Sequence, residues 1–64
     1  MALEVMIEKW SNRDGSDDFL WSLWDSGKRV TMGGHFGSAD AAESAARHFC
    51  RQRLGADPDR ITHL

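Results

Sequence analysis

Four groups of side chains in this 64-residue chain could do chemistry: the histidines His35, His48 and His63, the single Cys50, the carboxylates Asp14, Asp17 and Asp18, and the glycines of the run MGGHFG. Nucleophilic or acid-base catalysis needs partners brought within hydrogen-bond reach by neighbouring elements, and no Ser/His/Asp or Cys/His arrangement can be drawn here. His48 and Cys50 stand two apart on a helical stretch, so they diverge instead of converging on a metal. Cys50 falls on the apolar stripe of that stretch, the place of a buried structural thiol and not of a nucleophile. The aspartates lack the Asp-x-Asp-x-Asp-Gly frame and distal glutamate of a calcium loop, and MGGHFG lacks the Gly-Lys-Ser/Thr ending of a phosphate loop. The expectation is a protein that is not an enzyme, with no metal, no cofactor and no small-molecule substrate.

What remains is aromatic. Trp10, Trp21 and Trp24 are a large allotment for one short domain. In DFLWSLWDSGKR the last two lie three apart, and on a strand an odd spacing sends them to opposite faces. The elements that position them follow from the hydrophobic periodicity. LEVMIEKW alternates Leu3, Val5 and Ile7 with Glu4, Met6 and Glu8, as a half-buried strand does. SNRDGSDD reads as a loop of about eight residues, long enough to be mobile. FLWSLW is a second strand, and DSGK places Gly27 where a positive φ is needed to turn into RVTM, making a hairpin. Gly33 and Gly34 end or kink that third strand.

From Ser38 the period becomes helical. Ser38 or Asp40 is the N-cap, with Glu43 completing a capping box if Asp40 serves. Arg47, Arg51 and Arg53 suit the negative end of the helix, and Gly55 with Pro58 marks the stop. Ala39, Ala42, Ala45, Ala46, Phe49 and Cys50 form the apolar stripe. In the tail DPDRITHL, the pair Ile61 and Thr62 could add a short edge strand or trail off.

The fold class expected is α+β: one β-β-β-α domain over residues 1–64, a three-stranded antiparallel sheet with a C-terminal helix packed on one face. Because the helix offers mostly alanine, Phe19, Trp21 and Leu23 must fill the space beneath it, with Leu3, Val5, Ile7, Val30 and Met32 in the same layer. The opposite face, with Met6, Trp10, Leu20, Trp24 and Thr31 and the cations Lys28 and Arg29 nearby, has no second helix to cover it and is the candidate binding surface. With one cysteine an internal disulfide is impossible, no run approaches the roughly 18 apolar residues of a membrane span, and the charged start MALEVMIEKW does not resemble a signal peptide. A cytoplasmic protein without membrane contact is the expectation. Ten acidic against eight basic residues do not mark a strongly basic nucleic-acid binder.

RVTMGGHFGSADAAESAARHF, residues 29–49, resembles the third strand and helix of the DNA-binding domains of AP2/ERF factors and of the N-terminal arms of tyrosine integrases. Arg29, Val30, Met32, Gly33 and Phe36 can be laid on the Arg-Val-x-Leu-Gly-x-Phe pattern with one extra residue before Phe36. The resemblance implies a sheet face, opposite the helix, that reads DNA with arginines and tryptophans. This chain departs from it by carrying Glu4 and Glu8 on that face, which works against phosphate. SLW at residues 22–24 and the terminal DPDRITHL are similar to MbtH-like proteins, small partners of adenylating domains, although the residues those proteins place around Ser-Leu-Trp are absent. Small inhibitors encoded by phages share the size and the bare sheet. Two functions therefore stay open: a protein-binding module, as adaptor, inhibitor or homodimer, anchored by Met6, Trp10, Leu20 and Trp24; or DNA binding through Trp24, Thr31, Lys28, Arg29 and Arg13.

Overall fold

The computed structural model describes residues 2–64. Strands β1 (Leu3–Ser11), β2 (Asp17–Asp25) and β3 (Lys28–Phe36) precede the helix α1 (Ala39–Phe49), a π-helical turn over Cys50–Leu54 and a short strand β4 (Arg60–His63). The sheet order is β3-β2-β1-β4, with the first three strands antiparallel and β4 parallel to β1. The fold is the α+β arrangement expected from the periodicity, with the tail resolved as a fourth strand. No helix among the described residues is long and apolar enough to cross a membrane.

Local chemistry explains each junction. The β1–β2 connection is shorter than the eight residues expected, because both strands run on to leave Asn12–Ser16 between them. It is closed by Asn12 N–H donating to the Ser16 carbonyl at 2.8 Å and by the Asp14 carboxylate accepting from the Ser16 amide and hydroxyl. Those two Ser16 donors hold the Asp14 carboxyl below its ordinary pKa. Ser38 is the N-cap of α1, its hydroxyl accepting from Ala41 N–H at 3.1 Å, so the Asp40–Glu43 capping box does not form. Glu43 instead reaches Arg47 at 3.5 Å and His63 of β4 at 3.2 Å. Gly55 takes the left-handed conformation, φ 67°, that ends the helical run. Asp59 seats β4: its carboxylate accepts from the Leu3 amide and its own N–H donates to the Leu3 carbonyl, both at 2.8 Å.

The core lies between α1 and one face of the sheet. Leu3, Val5, Ile7, Trp21, Leu23, Ala42, Ala46 and Cys50 are buried, and Phe19, Phe36, Phe49 and Ile61 close its sides. Trp21 supplies the bulk that the alanines leave out. Its ring meets Phe49 at 5.4 Å between centroids, tilted by 46°, and it is paired across the sheet with Gly33. A Cβ at Gly33 would stand 2.7 Å from the indole. The glycine is the space through which the tryptophan reaches the helix.

Two expected core members are not there. The hairpin turn pairs Asp25 with Lys28 and Trp24 with Arg29, and an unbroken ladder would then set Leu23 against Val30 and Trp21 against Met32. The register instead slips between Leu23 and Trp24, so that Leu23 faces Thr31, Ser22 faces Met32 and Trp21 faces Gly33. Val30 is the extra residue of this bulge and is 52% exposed; Met32, 50% exposed, is sent to the outer face. Thr31, expected outside, lies on the helix side. A second slip, between Phe19 and Trp21, brings Phe36 opposite Phe19, so β3 continues past Gly33 and Gly34 to Phe36.

Three outcomes follow from this packing. Trp21→Ala should cost about 3–5 kcal/mol in urea unfolding, and Gly33→Ala about 1–3 kcal/mol by driving a methyl into the indole. Cys50 is fully buried, and burial raises its thiol pKa, with the nearby Asp57 charge adding to the shift; the native thiol should resist a disulfide reagent until denaturant is added. The hydrogen bond from His63 is the main cause that holds the Glu43 carboxyl below its ordinary 4.5; burial opposes it, and the Arg47 charge adds a lesser lowering. A carboxyl whose folded pKa is depressed contributes stability that is present above the unfolded value and is lost as pH falls through the folded one. Thermal melts taken on acidification through that range should therefore show a shallower loss for Glu43→Gln than for the parent.

Candidate functional site

Period-2 alternation and register together fix what the outer face displays. From β1 come Glu4, Met6, Glu8 and Trp10, paired in turn with Trp24, Ser22, Leu20 and Asp18 of β2. From β3 come Met32, opposite Ser22, and Arg29, opposite Trp24. From β4 come Arg60 and Thr62, beside Glu4 and Met6. Among the described residues no helix lies over this side, since α1 and the π-helical turn that continues it pack on the other.

The tryptophans of this face differ in their seating. Trp10 is 57% exposed, and its indole N–H donates to Glu8 at 3.1 Å. Trp24 is half-buried: its N–H donates to the Ser22 hydroxyl at 2.8 Å, and Ser22 is itself buried. Between them is a dimple of about 140 Å³, walled by Trp10, Leu20, Trp24 and Met32 with Glu8 and Arg29 as its charged lining. Its volume is close to the roughly 150 Å³ of a cavity that admits benzene. One ring or branched side chain is what it can hold.

The charges are sorted by position. Glu4 is engaged, accepting from the Thr62 hydroxyl at 3.2 Å and facing Arg60 at 3.5 Å. Asp18 faces His35 at 3.2 Å and accepts from the Asn12 amide. Lys9 is drawn to Asp17 at 3.6 Å. Arg29 and Lys28, at the hairpin turn, have no carboxylate within ion-pair distance among the described residues.

Of the residues expected to bind a partner, Trp10, Leu20, Trp24 and Arg29 are brought together around the dimple. Met6 stands on the same face beside Ser22 and outside the dimple, and Lys28 is exposed at the turn. Thr31 does not belong to the site, because the bulge at Val30 turns it to the helix face. Met32 takes its place. The one sequence signal for that exchange was Gly33, two residues beyond Thr31, which matches an indole as a strand partner better than Met32 does. The histidines remain apart: His35 reaches Asp18, His63 reaches Glu43, and His48 lines a separate groove beside Phe49. No group of three or more metal-ligating side chains is found among the described residues.

No protein-family model, curated protein or solved structure matches this chain.

The two outer tryptophans should respond differently from Trp21 and from each other. Trp10→Ala should change unfolding free energy by about 0.5 kcal/mol or less, and Trp24→Ala by about 1 kcal/mol. Ser22→Ala should also cost about 1 kcal/mol, by removing the acceptor of the Trp24 N–H. Urea titration of the three variants measures all of these.

Proposed function

We propose that this chain is a non-enzymatic protein-binding module of the adaptor, accessory or inhibitor type, acting in the cytoplasm through the outer face of its sheet. The observation that carries this reading is the dimple between Trp10 and Trp24 on a face that no other element covers. Apolar anchors seated in small pockets and ringed by polar groups dominate the energetics of protein interfaces, and tryptophan and arginine are prominent among them. Here the dimple would receive one apolar side chain of the partner, with Glu8 and Arg29 fixing the polar groups beside it.

Duplex DNA is the rival occupant of the same face. Phosphate binding needs clustered positive charge, and the free cation of this side, Arg29, sits at one end only, with Lys28 beside it at the turn. Arg60 is engaged by Glu4, and Glu8 and Asp18 occupy the rest. Complementarity of charge favours a protein surface of mixed sign.

Affinity capture from the native host with the parent chain and with the Trp10→Ala/Trp24→Ala double variant tests the reading. A protein retained by the parent and released, with affinity lowered tenfold or more, by the double variant is the expected result. Duplex binding that weakens steeply with salt, with no protein retained, would replace this reading with the DNA one.

A further inference from the structure

A groove lies on the helix side of the sheet, between the β3 margin and the end of α1. It offers about 500 Å³, within the roughly 300–1,000 Å³ of small-molecule sites, and is lined as such sites are, by aromatic and apolar groups with a few polar ones. Buried Trp21 and half-buried Phe36 and Phe49 make its floor, and the exposed His48 and Arg53 make its rim. The cations of the helical segment are divided by side. Arg47 and Arg51 are paired with Glu43 and Asp57, whereas Arg53 lies over the Phe49 ring at 5.9 Å and has no carboxylate within ion-pair distance among the described residues. No carboxylate, hydroxyl or thiol side chain lines the groove. The indole of Trp21 adds an independent sign. Trp10 and Trp24 donate their N–H groups to Glu8 and Ser22, but that of Trp21, a residue only 6% exposed, donates to no acceptor among the described residues and is not sealed from solvent. Its Nε1 is on the ring edge turned toward Gly33, the β3 residue that lines the groove. An unused donor in an apolar floor calls for an acceptor.

We propose that this groove binds a small aromatic carboxylate. The ring of the ligand covers Trp21, Phe36 and Phe49, in the offset or edge-on contacts that aromatic groups favour. Its carboxylate supplies the negative charge that Arg53 lacks, and the His48 imidazole can donate to it in either tautomer. With about four acceptor positions on two oxygens, the same group can take the Trp21 N–H. The occupant is a free acid and not the end of a peptide strand. Beside the groove the β3 ladder is broken by the slip between Phe19 and Trp21, and Gly34 has a φ of 153°, so no regular edge is offered for a chain to extend. The groove lies on the face opposite the Trp10–Trp24 dimple, so this inference stands independently of the outer-face reading.

The unused indole donor supplies the readout. The full chain, isotopically labelled on nitrogen, is titrated with hydrocinnamate and its indole N–H resonances are followed by NMR; Trp10→Ala and Trp24→Ala each remove one resonance and so assign the remaining one to Trp21. The Trp21 resonance should move saturably, with a Kd of about 1 mM or tighter, while those of Trp10 and Trp24 stay in place. Hydrocinnamamide, which keeps the ring and loses the charge, should bind about tenfold or more weakly. Arg53→Gln, at an exposed position, should weaken the acid about tenfold and leave the amide unchanged, and unchanged binding of the amide shows that the variant is folded. Arg51→Gln, whose cation Asp57 already engages, should bind the acid as the parent does. A Trp21 resonance that does not move, movement confined to Trp10 and Trp24, an amide bound as tightly as the acid, or full affinity for the acid in Arg53→Gln would each overturn the site. A peptide ending in phenylalanine that binds about tenfold or more tightly than hydrocinnamate would overturn the assignment to a free acid.

Discussion

An alanine-lined helix cannot fill the space above a sheet by itself, and in this protein an indole does that work. Trp21 rises from β2, crosses the strand margin where Gly33 offers no side chain, and meets Phe49 near the end of α1. The position of the helix, the register of β3 and the composition of the opposite face all depend on this contact. If Trp21 is to have glycine as its cross-strand partner, β3 must shift by one residue relative to the hairpin turn, and the bulge at Val30 supplies the shift. A local demand for volume on one face has thereby rearranged the other.

That rearrangement gives the outer face its character. Sending Met32 outward and Thr31 inward replaces a small polar residue with a flexible thioether at the wall of the dimple, where it faces Trp10, Leu20 and Trp24. The polar groups there are largely occupied within the face: Ser22 with Trp24, Glu8 with Trp10, Glu4 with Thr62 and Arg60. These bonds orient the aromatic rings before any partner arrives, which lowers the entropy lost on association. Lys28 and Arg29, which have no carboxylate within ion-pair distance among the described residues, are left exposed at the turn.

The short chain also explains why its ends are fastened. A domain of this size buries a smaller fraction of its surface than a larger one does and stands near the lower limit for a hydrophobic core unaided by disulfides. Here the added ties are polar and fasten the C-terminal segment to β1 and to α1. Asp59 bonds both ways to Leu3, β4 extends the sheet beside β1, and Glu43 joins α1 to His63. The π-helical turn at Cys50–Leu54 brings the chain out of α1 toward that return, and Arg51 closes on Asp57 at 2.6 Å beside it.

By itself the sequence determined the elements and the two-faced character of the sheet. Alternation in LEVMIEKW and FLWSLW sets which side chains of β1 and β2 turn inward, because side-chain direction on a strand has period 2 and only one parity is apolar enough to bury. The odd spacing of Trp21 and Trp24 assigns one to the core and one to the outer face, and the alanine stripe gives α1 its buried side. Tertiary structure alone decided β3, since parity is carried across a hairpin only while the ladder is unbroken. A single inserted residue reverses it, and insertion is favoured or not by the fit of Trp21 against Gly33 and Phe49, residues far apart in the chain. It also decided that the tail lies parallel to β1, because Asp59 meets the Leu3 amide only once the sheet and helix have brought residues 56 positions apart together. Local pattern fixes what a segment can bury; the packing of distant segments fixes which register lets it do so.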